Sequence, residues 1–136
     1  MVLCENLHIH TDGASRGNPG KAAIGIIFYD EKRNELDKHA ECIGIATNNE
    51  AEYRAIITAL EMAAKYSRKN LLFFSDSEFV VKQLTGLYSV KDERMRKLYN
   101  MVKSGESIYA SVKYNHIMRE ENRQADALAN AALDSA

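Results

Sequence analysis

The chain has 136 residues, of which 46% are hydrophobic and 27% charged, and its net charge is -1. These values favour one globular domain over residues 1–136 and exclude a global positive field that would attract nucleic acid. No apolar run approaches the roughly 20 residues of a membrane span, and the N-terminus does not read as a signal peptide. The two cysteines lack metal-ligand spacing, so we expect a cytoplasmic protein with reduced thiols.

The first third of the chain predicts three β-strands. Apolar and polar residues alternate over residues 2–12, and residues 22–30 and 36–46 form two further strand-like runs. The segments GASRGNPG and EKRNE separate the three runs and are rich in turn-forming residues. Strands joined by such short connections predict an antiparallel meander.

The rest of the chain alternates helices with two more strands. Helical spacing covers residues 49–66, and Thr47-Asn-Asn-Glu50 matches a capping box at the start of that helix. The predictions that follow are a strand at residues 71–75, a helix from Ser77 to Leu84 stopped by Gly86, a helix over 92–103, a strand over 112–118 and a last helix capped by Asn122.

This order predicts an α/β fold with a five-stranded mixed sheet flanked by helices. Strands 1–3 are expected to be antiparallel, and strands 4 and 5 to run parallel to strand 1 through helical crossovers.

Four acidic residues lie at the ends of apolar segments. Asp12 and Asp76 close predicted strands, while Glu52 and Asp126 fall in the first turns of predicted helices. The carboxyl ends of parallel strands meet at one edge of a sheet, so we expect the four carboxylates to converge there. Buried unpaired carboxylates cost several kcal/mol, and a hard divalent cation compensates for them. The sequence therefore predicts a phosphoryl-transfer site that holds two Mg²⁺ ions roughly 3.5–4 Å apart.

Four segments of the chain resemble the catalytic segments of type 1 ribonucleases H. They are DGASRGNPG from Asp12, TNNEAE from Thr47, SDSEF from Ser75 and ADALA from Ala125. Because they occur in the family's order and span essentially the whole chain, the resemblance is specific. It implies the ribonuclease H-like fold and hydrolysis of the RNA strand of RNA–DNA hybrids with Mg²⁺ or Mn²⁺, leaving 5′-phosphate and 3′-hydroxyl ends.

The resemblance also implies the functional residues. The expected catalytic residues and metal ligands are Asp12, Glu52, Asp76 and Asp126. The expected substrate contacts are Gly13, Asn18, Thr47, Asn48, Asn49, Ser77 and Phe79. The three asparagines match positions around RNA 2′-hydroxyls, which amides can recognise because a hydroxyl both donates and accepts. Thr47 matches a DNA phosphate contact, and Phe79 matches an aromatic residue against a DNA sugar.

The chain departs from several relatives in two places. It has no tryptophan and no basic insertion after the third segment, so it resembles the compact form without the basic protrusion. Residues 91–103 carry five basic and two acidic side chains, which form either a reduced phosphate-binding face or an ordinary solvated helix face. The loop before Asp126 lacks the family's histidine, and Arg119 or Glu120 is expected to touch the scissile region instead.

Three other functions share parts of this pattern. A resolvase or integrase core would reuse the acids, a non-catalytic module would bind without cleaving, and a metallophosphatase would hydrolyse small monoesters. The expected partner is an RNA–DNA hybrid, with duplex RNA as a second candidate substrate. We expect a monomer without a membrane or an obligate protein partner.

Overall fold

Five strands form one mixed sheet in a computed structural model that describes residues 3–136. The strands are β1 (Asn6–Gly17), β2 (Gly20–Tyr29), β3 (Glu35–Ala46), β4 (Asn70–Ser75) and β5 (Ser111–His116). The helices are α1 (Asn48–Ala63), α2 (Glu78–Leu84), α3 (Glu93–Gly105) and α4 (Arg123–Asp134).

The sheet has the strand order β3-β2-β1-β4-β5. Antiparallel ladders join β1 to β2 and β2 to β3, whereas β4 runs parallel to β1 and β5 runs parallel to β4. The predicted fold class is therefore confirmed.

Side chains of the central strands alternate between the two faces of the sheet, and helices cover both faces. Leu7 and Ile9 of β1 are fully buried in the main core, which also contains apolar residues of α1, α2 and α3. Helix α4 packs on the opposite face, where a Cβ at Gly25 would lie 2.2 Å from the carbonyl oxygen of Ala125. Only a residue without a side chain allows this close approach of α4 to β2.

Strand β1 is longer than the sequence predicts. It continues through Gly17, pairing Ala14 with Ala23 and Gly17 with Gly20, so most of the segment predicted as a turn is strand. The turn is confined to Asn18 and Pro19, whose peptide bond is cis, and Gly17 has a φ of 126°. The predicted strand start at residue 2 lies outside the described residues.

The predicted helix boundaries are correct within a few residues. Thr47 and Glu50 form the predicted capping box: Thr47 Oγ1 accepts from Glu50 N at 3.1 Å, and Glu50 Oε1 accepts from Thr47 N at 2.9 Å. Ser77 caps α2, and Gly86 follows that helix with a φ of 86°. Among residues 3–136, no helix is both long enough and apolar enough to span a bilayer.

Asn122 occupies the predicted N-cap position of α4, but its side chain makes no capping hydrogen bond. It is buried and donates instead to the carbonyl oxygen of Thr11 at 2.9 Å, and its Oδ1 lies 3.3 Å from His10 Nδ1. Because β1 lies directly beneath Asn122, the side-chain amide bonds to a carbonyl oxygen of the strand rather than to the free amides of the helix start.

Candidate active site

Three carboxylates meet at the edge of the sheet where the parallel strands separate. Asp12, Glu52 and Asp76 each place an oxygen within 4.8 Å of the others. Asp126 lies beside Asp12 and lines the same cavity of about 520 Å³. We call these four residues and their cavity the acidic cleft. The predicted convergence of the four side chains is thus present in the geometry.

The parallel ladder explains how two of these acids meet. Pairing of β1 with β4 ends at His10 and Phe74, so Asp12 and Asp76 each lie two residues beyond the last pair. The prediction that Asp12 ends its strand was wrong, because β1 continues to Gly17 through its pairing with β2. It does lie where β1 leaves β4, and that separation opens the cleft.

A glycine brings the third acid to the cleft. A Cβ at Gly13 would lie 2.3 Å from the backbone carbon of Ala51 and 2.4 Å from Glu52 N, so only glycine lets α1 approach β1 this closely. The Gly13 amide donates to Glu52 Oε1. Glu52 is the fifth residue of α1, and it therefore lies in the second helical turn rather than in the predicted first.

The cleft is electrostatically unfavourable in the absence of a cation. Burial, followed by the charge of Asp76 and interactions with Asp126, raises the pKa of Asp12 to about 8. Burial also raises the pKa of Glu52 well above its usual value, and the charges of Asp12 and Asp76 add to this effect. The protein by itself therefore favours a protonated Asp12 carboxyl at neutral pH.

The donor set of the cleft fits a hard divalent cation. All its acidic ligand atoms are carboxylate oxygens, which Mg²⁺ and Mn²⁺ prefer. Within residues 3–136, no salt bridge joins any of the four acids to a lysine or arginine. Without such direct pairs, protons or a bound cation must balance most of their charge.

Comparison with known proteins agrees with this geometry. The family described as reverse transcriptase-like matches residues 10–132. Ribonuclease HI of Halobacterium salinarum is 40% identical over 96% of the chain. The crystal structure of RNase H1 from that archaeon matches with a TM-score of 0.93 and is covered over 99% of its length. The chain belongs to the type 1 ribonuclease H family.

Two further relatives in this family extend the comparison. A bifunctional protein of Mycobacterium tuberculosis is 38% identical over 94% of the chain. The structure of LC11-RNase H1 in complex with an RNA/DNA hybrid is 37% identical, has a TM-score of 0.89, and is matched over 95% of this chain and 97% of that one. The chain spans 65% of the length of the halobacterial relative and 35% of the mycobacterial one.

The positions that the type 1 ribonuclease H resemblance assigns to substrate form one continuous surface. Gly13, Asn48, Asn49 and Ser77 line the acidic cleft. Asn18, Thr47 and Phe79 line an adjoining groove of about 330 Å³, which shares Asn49 with the cleft.

Two of the asparagines on this surface also hold the backbone together. Asn18 Oδ1 accepts from Asn48 N, and Asn48 Oδ1 accepts from Ser15 N, both at 3.0 Å. These bonds tie the β1–β2 turn to the start of α1. They occupy one acceptor on each side chain, and the amide nitrogens remain as possible donors.

The two residues predicted before the last acid separate in the structure. Arg119 lines the acidic cleft, and its charge lowers the pKa of Asp76, whereas burial raises that pKa more strongly. Glu120 instead lines a cavity of about 460 Å³ with His10, Tyr29 and Arg33. Of this pair, only Arg119 borders the cleft.

The sequence did not identify three polar residues near the acids. The Asn122 side chain bonds to Asp76 and opposes the rise of its pKa, and His116 at the end of β5 acts in the same direction. Asn130 Nδ2 donates to the Asp126 carbonyl oxygen at 3.0 Å and to Asp126 Oδ1 at 3.2 Å. The four-residue spacing of Asn122, Asp126 and Asn130 along one helix was the available signal.

Proposed function

We propose that this protein is an endonuclease that hydrolyses the RNA strand of RNA–DNA hybrids with two divalent metal ions. The products would carry 5′-phosphate and 3′-hydroxyl ends. The observation that carries the proposal is the group of three carboxylates within 4.8 Å. The complex of a relative, LC11-RNase H1, with an RNA/DNA hybrid supports a hybrid as the substrate.

The four acids of the cleft would hold the metal. When bound, Mg²⁺ or Mn²⁺ ions lower the pKa of the attacking water and stabilise the departing oxygen. Each of the four acids comes from a different part of the fold. Asp12 lies in β1, Glu52 in α1 and Asp126 in α4, and Asp76 directly follows β4. Since the cleft draws all four acids from one chain, we propose that a monomer suffices.

The asparagine cluster would select the RNA strand. Asn48 and Asn49 are exposed at the mouth of the acidic cleft, within the surface that a scissile nucleotide must reach. Their amides can donate to or accept from a 2′-hydroxyl, and a DNA strand offers no such partner. Selection and cleavage would therefore act on the same strand.

Arg119 would assist at the phosphate. Arg119 lines the cleft and its charge acts on Asp76, so its guanidinium would bind a phosphate oxygen of the strand being cut. Glu120 lies in another cavity, and we propose no direct role for it in the reaction.

A cleavage assay tests the proposal. RNA–DNA hybrid, duplex DNA and duplex RNA, each end-labelled, are incubated with the protein in Mg²⁺, in Mn²⁺ and in chelator, and product ends are identified by phosphatase and ligase treatment. We expect metal-dependent cleavage of the hybrid RNA strand with 5′-phosphate ends. Cleavage of duplex DNA would instead indicate a resolvase-like or integrase-like nuclease. Turnover of small monoesters alone would indicate a phosphatase.

A further inference from the structure

A histidine lies on the strand that leads into the acidic cleft. His10 forms the last pair between β1 and β4, opposite Phe74, and each of these two residues precedes a cleft acid by two positions. The His10 ring stacks on the Phe74 ring at 4.9 Å between centroids and meets the Tyr29 ring edge-on at 5.5 Å. Contacts with two aromatic rings therefore hold the imidazole in place.

The His10 ring is hydrogen-bonded to a buried amide. Its Nδ1 lies 3.3 Å from Oδ1 of Asn122, a residue that is 1% exposed. The same amide donates from Nδ2 to the carbonyl oxygen of Thr11 at 2.9 Å. Because a backbone carbonyl can only accept, the bond to Thr11 fixes which end of the amide carries the N–H groups.

The orientation of the amide determines the tautomer of His10. Oδ1 of Asn122 can only accept, so Nδ1 of His10 must carry the proton in the bond between them. Burial lowers the pKa of His10, so the ring is neutral at neutral pH and its Nε2 carries no proton. A proton on Nε2 alone would place the Nδ1 lone pair against the lone pairs of Oδ1.

The same amide also bonds to an acid of the cleft. The Asn122 side chain forms a hydrogen bond with the Asp76 carboxylate. Only Nδ2 can donate, and one of its N–H groups is used at Thr11, so the second must make the bond to Asp76. A hydrogen-bond chain therefore runs from His10 through Asn122 to Asp76.

We propose that His10 is a positioning residue of the acidic cleft. It holds the Asn122 amide in the orientation that donates to Asp76. The amide in turn holds the Asp76 carboxylate where it can share a cation with Asp12 and Glu52, whose oxygens lie within 4.8 Å. Polar groups behind a metal ligand fix its orientation and raise the metal affinity of the site. The inference rests on the proposed function for its effect on catalysis, but the tautomer and metal binding are measured without cleavage.

The first experiment measures the tautomer of His10. Long-range ¹H–¹⁵N correlation spectra of the metal-free protein at neutral pH should show His10 protonated at Nδ1, whereas a free imidazole favours the proton on Nε2. The signal is assigned by its loss in His10→Phe. In Asn122→Ala, the proton should move to Nε2. A wild-type His10 that is protonated only at Nε2 overturns the inference.

The second experiment separates the hydrogen bond from the packing of the ring. His10→Phe keeps an aromatic ring but removes the donor, so calorimetric affinity for Mn²⁺ should weaken roughly threefold to tenfold. The kcat for hybrid should fall by a similar factor, with little change in KM. His10→Asn removes the ring but places an amide N–H near the position of Nδ1. It should melt at a lower temperature than His10→Phe and yet regain part of the lost Mn²⁺ affinity.

The matched control is His8→Phe. His8 lies two residues earlier on β1 and stacks on the same Phe74 ring at 5.6 Å, but within residues 3–136 its Nδ1 has no hydrogen-bond partner. Its substitution should leave Mn²⁺ affinity and kcat unchanged. In an Asn122→Ala background, His10→Phe should have no further effect on Mn²⁺ affinity, because the chain to Asp76 is already broken.

The outcomes distinguish a failure of this inference from a failure of the proposed function. Unchanged Mn²⁺ affinity in His10→Phe, or an equal loss in His8→Phe, overturns the positioning role. A wild type that binds Mn²⁺ but does not cut hybrid refutes the proposed function. The tautomer and the order of Mn²⁺ affinities among the variants then still decide the role of His10.

Discussion

The acidic cleft and the neighbouring asparagine turn use polar side chains in opposite ways. In the cleft, Asp12 and Glu52 are buried beside other acids, and their pKa values are raised because the folded protein opposes their ionisation. In the turn, Asn18 and Asn48 accept backbone hydrogen bonds that hold β1 and α1 together. The buried acids therefore lower the stability of the metal-free fold, whereas the asparagines raise it, although both sets of side chains face the same proposed substrate.

The largest effect is expected from Asp12→Asn. We expect hybrid cleavage to fall by about 1,000-fold or more, because a metal ligand is lost. The metal-free protein should become more stable by about 1–3 kcal/mol at pH 8, since each pKa unit is worth about 1.4 kcal/mol and structural relaxation reduces the full effect. Chemical denaturation measures the second change.

Asp134→Asn is the matched control for that substitution. Asp134 is an exposed acid that pairs with Arg16, and its loss should change neither cleavage nor stability much. An Asp12→Asn protein that melts well below the wild type without metal would show that the carboxylate supports the fold.

The stability cost of the Asp12 carboxyl should depend on pH. A carboxyl whose pKa is raised in the folded state contributes stability that is present below its unfolded value, near 4, and is lost as pH rises through the folded value, about 8 for Asp12. The stability advantage of Asp12→Asn over the wild type should therefore grow from about pH 5 to pH 8. A constant advantage would contradict the raised pKa.

Metal binding should offset the stability cost of ionised carboxylates in the cleft and should release protons. Calorimetric titration of Mg²⁺ or Mn²⁺ at pH 7, in buffers that differ in ionisation enthalpy, should show net proton release because protonated carboxyls become ligands. The release should be smaller for Asp12→Asn. Metal uptake without proton release would mean that the acids are already ionised.

Arg119→Gln should have a smaller effect on the cleft side. We expect kcat to fall about tenfold, because the guanidinium would contact a phosphate oxygen, while the fold remains intact. Glu120→Gln, one residue away in a different cavity, is the control and should keep kcat near that of the wild type. Equal losses in both variants would implicate the loop as a whole.

The smallest expected effects are those of alanine substitutions at Asn18 and Asn49, which should differ in their effect on stability. Asn18→Ala removes a hydrogen bond to the start of α1, so it should raise KM for hybrid and lower the unfolding free energy by about 1 kcal/mol. Asn49→Ala should raise KM by a similar few-fold factor while leaving stability unchanged. A stability loss in Asn49→Ala would indicate a structural role that resembles that of Asn18.

Local patterns predicted most of the fold because each signal acts over a few residues. The capping box at Thr47 and the stop at Gly86 depend on neighbouring backbone groups alone, so both were predictable. The length of β1 was not predictable. Its last residues adopt strand structure because they pair with β2, and the local sequence gives no signal for that pairing.

The site was predictable to a similar depth. The acids could be selected because carboxylates at the ends of apolar runs are costly without a ligand. The roles of Asn122 and Asn130 depend on tertiary contacts: a buried amide at a helix start resembles an ordinary cap until the carbonyl of Thr11 is found beneath it. The different positions of Arg119 and Glu120 likewise depend on one turn of 3₁₀ backbone at Arg119–Glu121.

The lack of a side chain at Gly25 limits how this protein can be altered. Helix α4 rests on that glycine through Ala125, the residue directly before Asp126. A methyl group at position 25 would push the helix outward and carry the fourth carboxylate with it. An alanine there should disable catalysis at a distance, with every reactive side chain still in place.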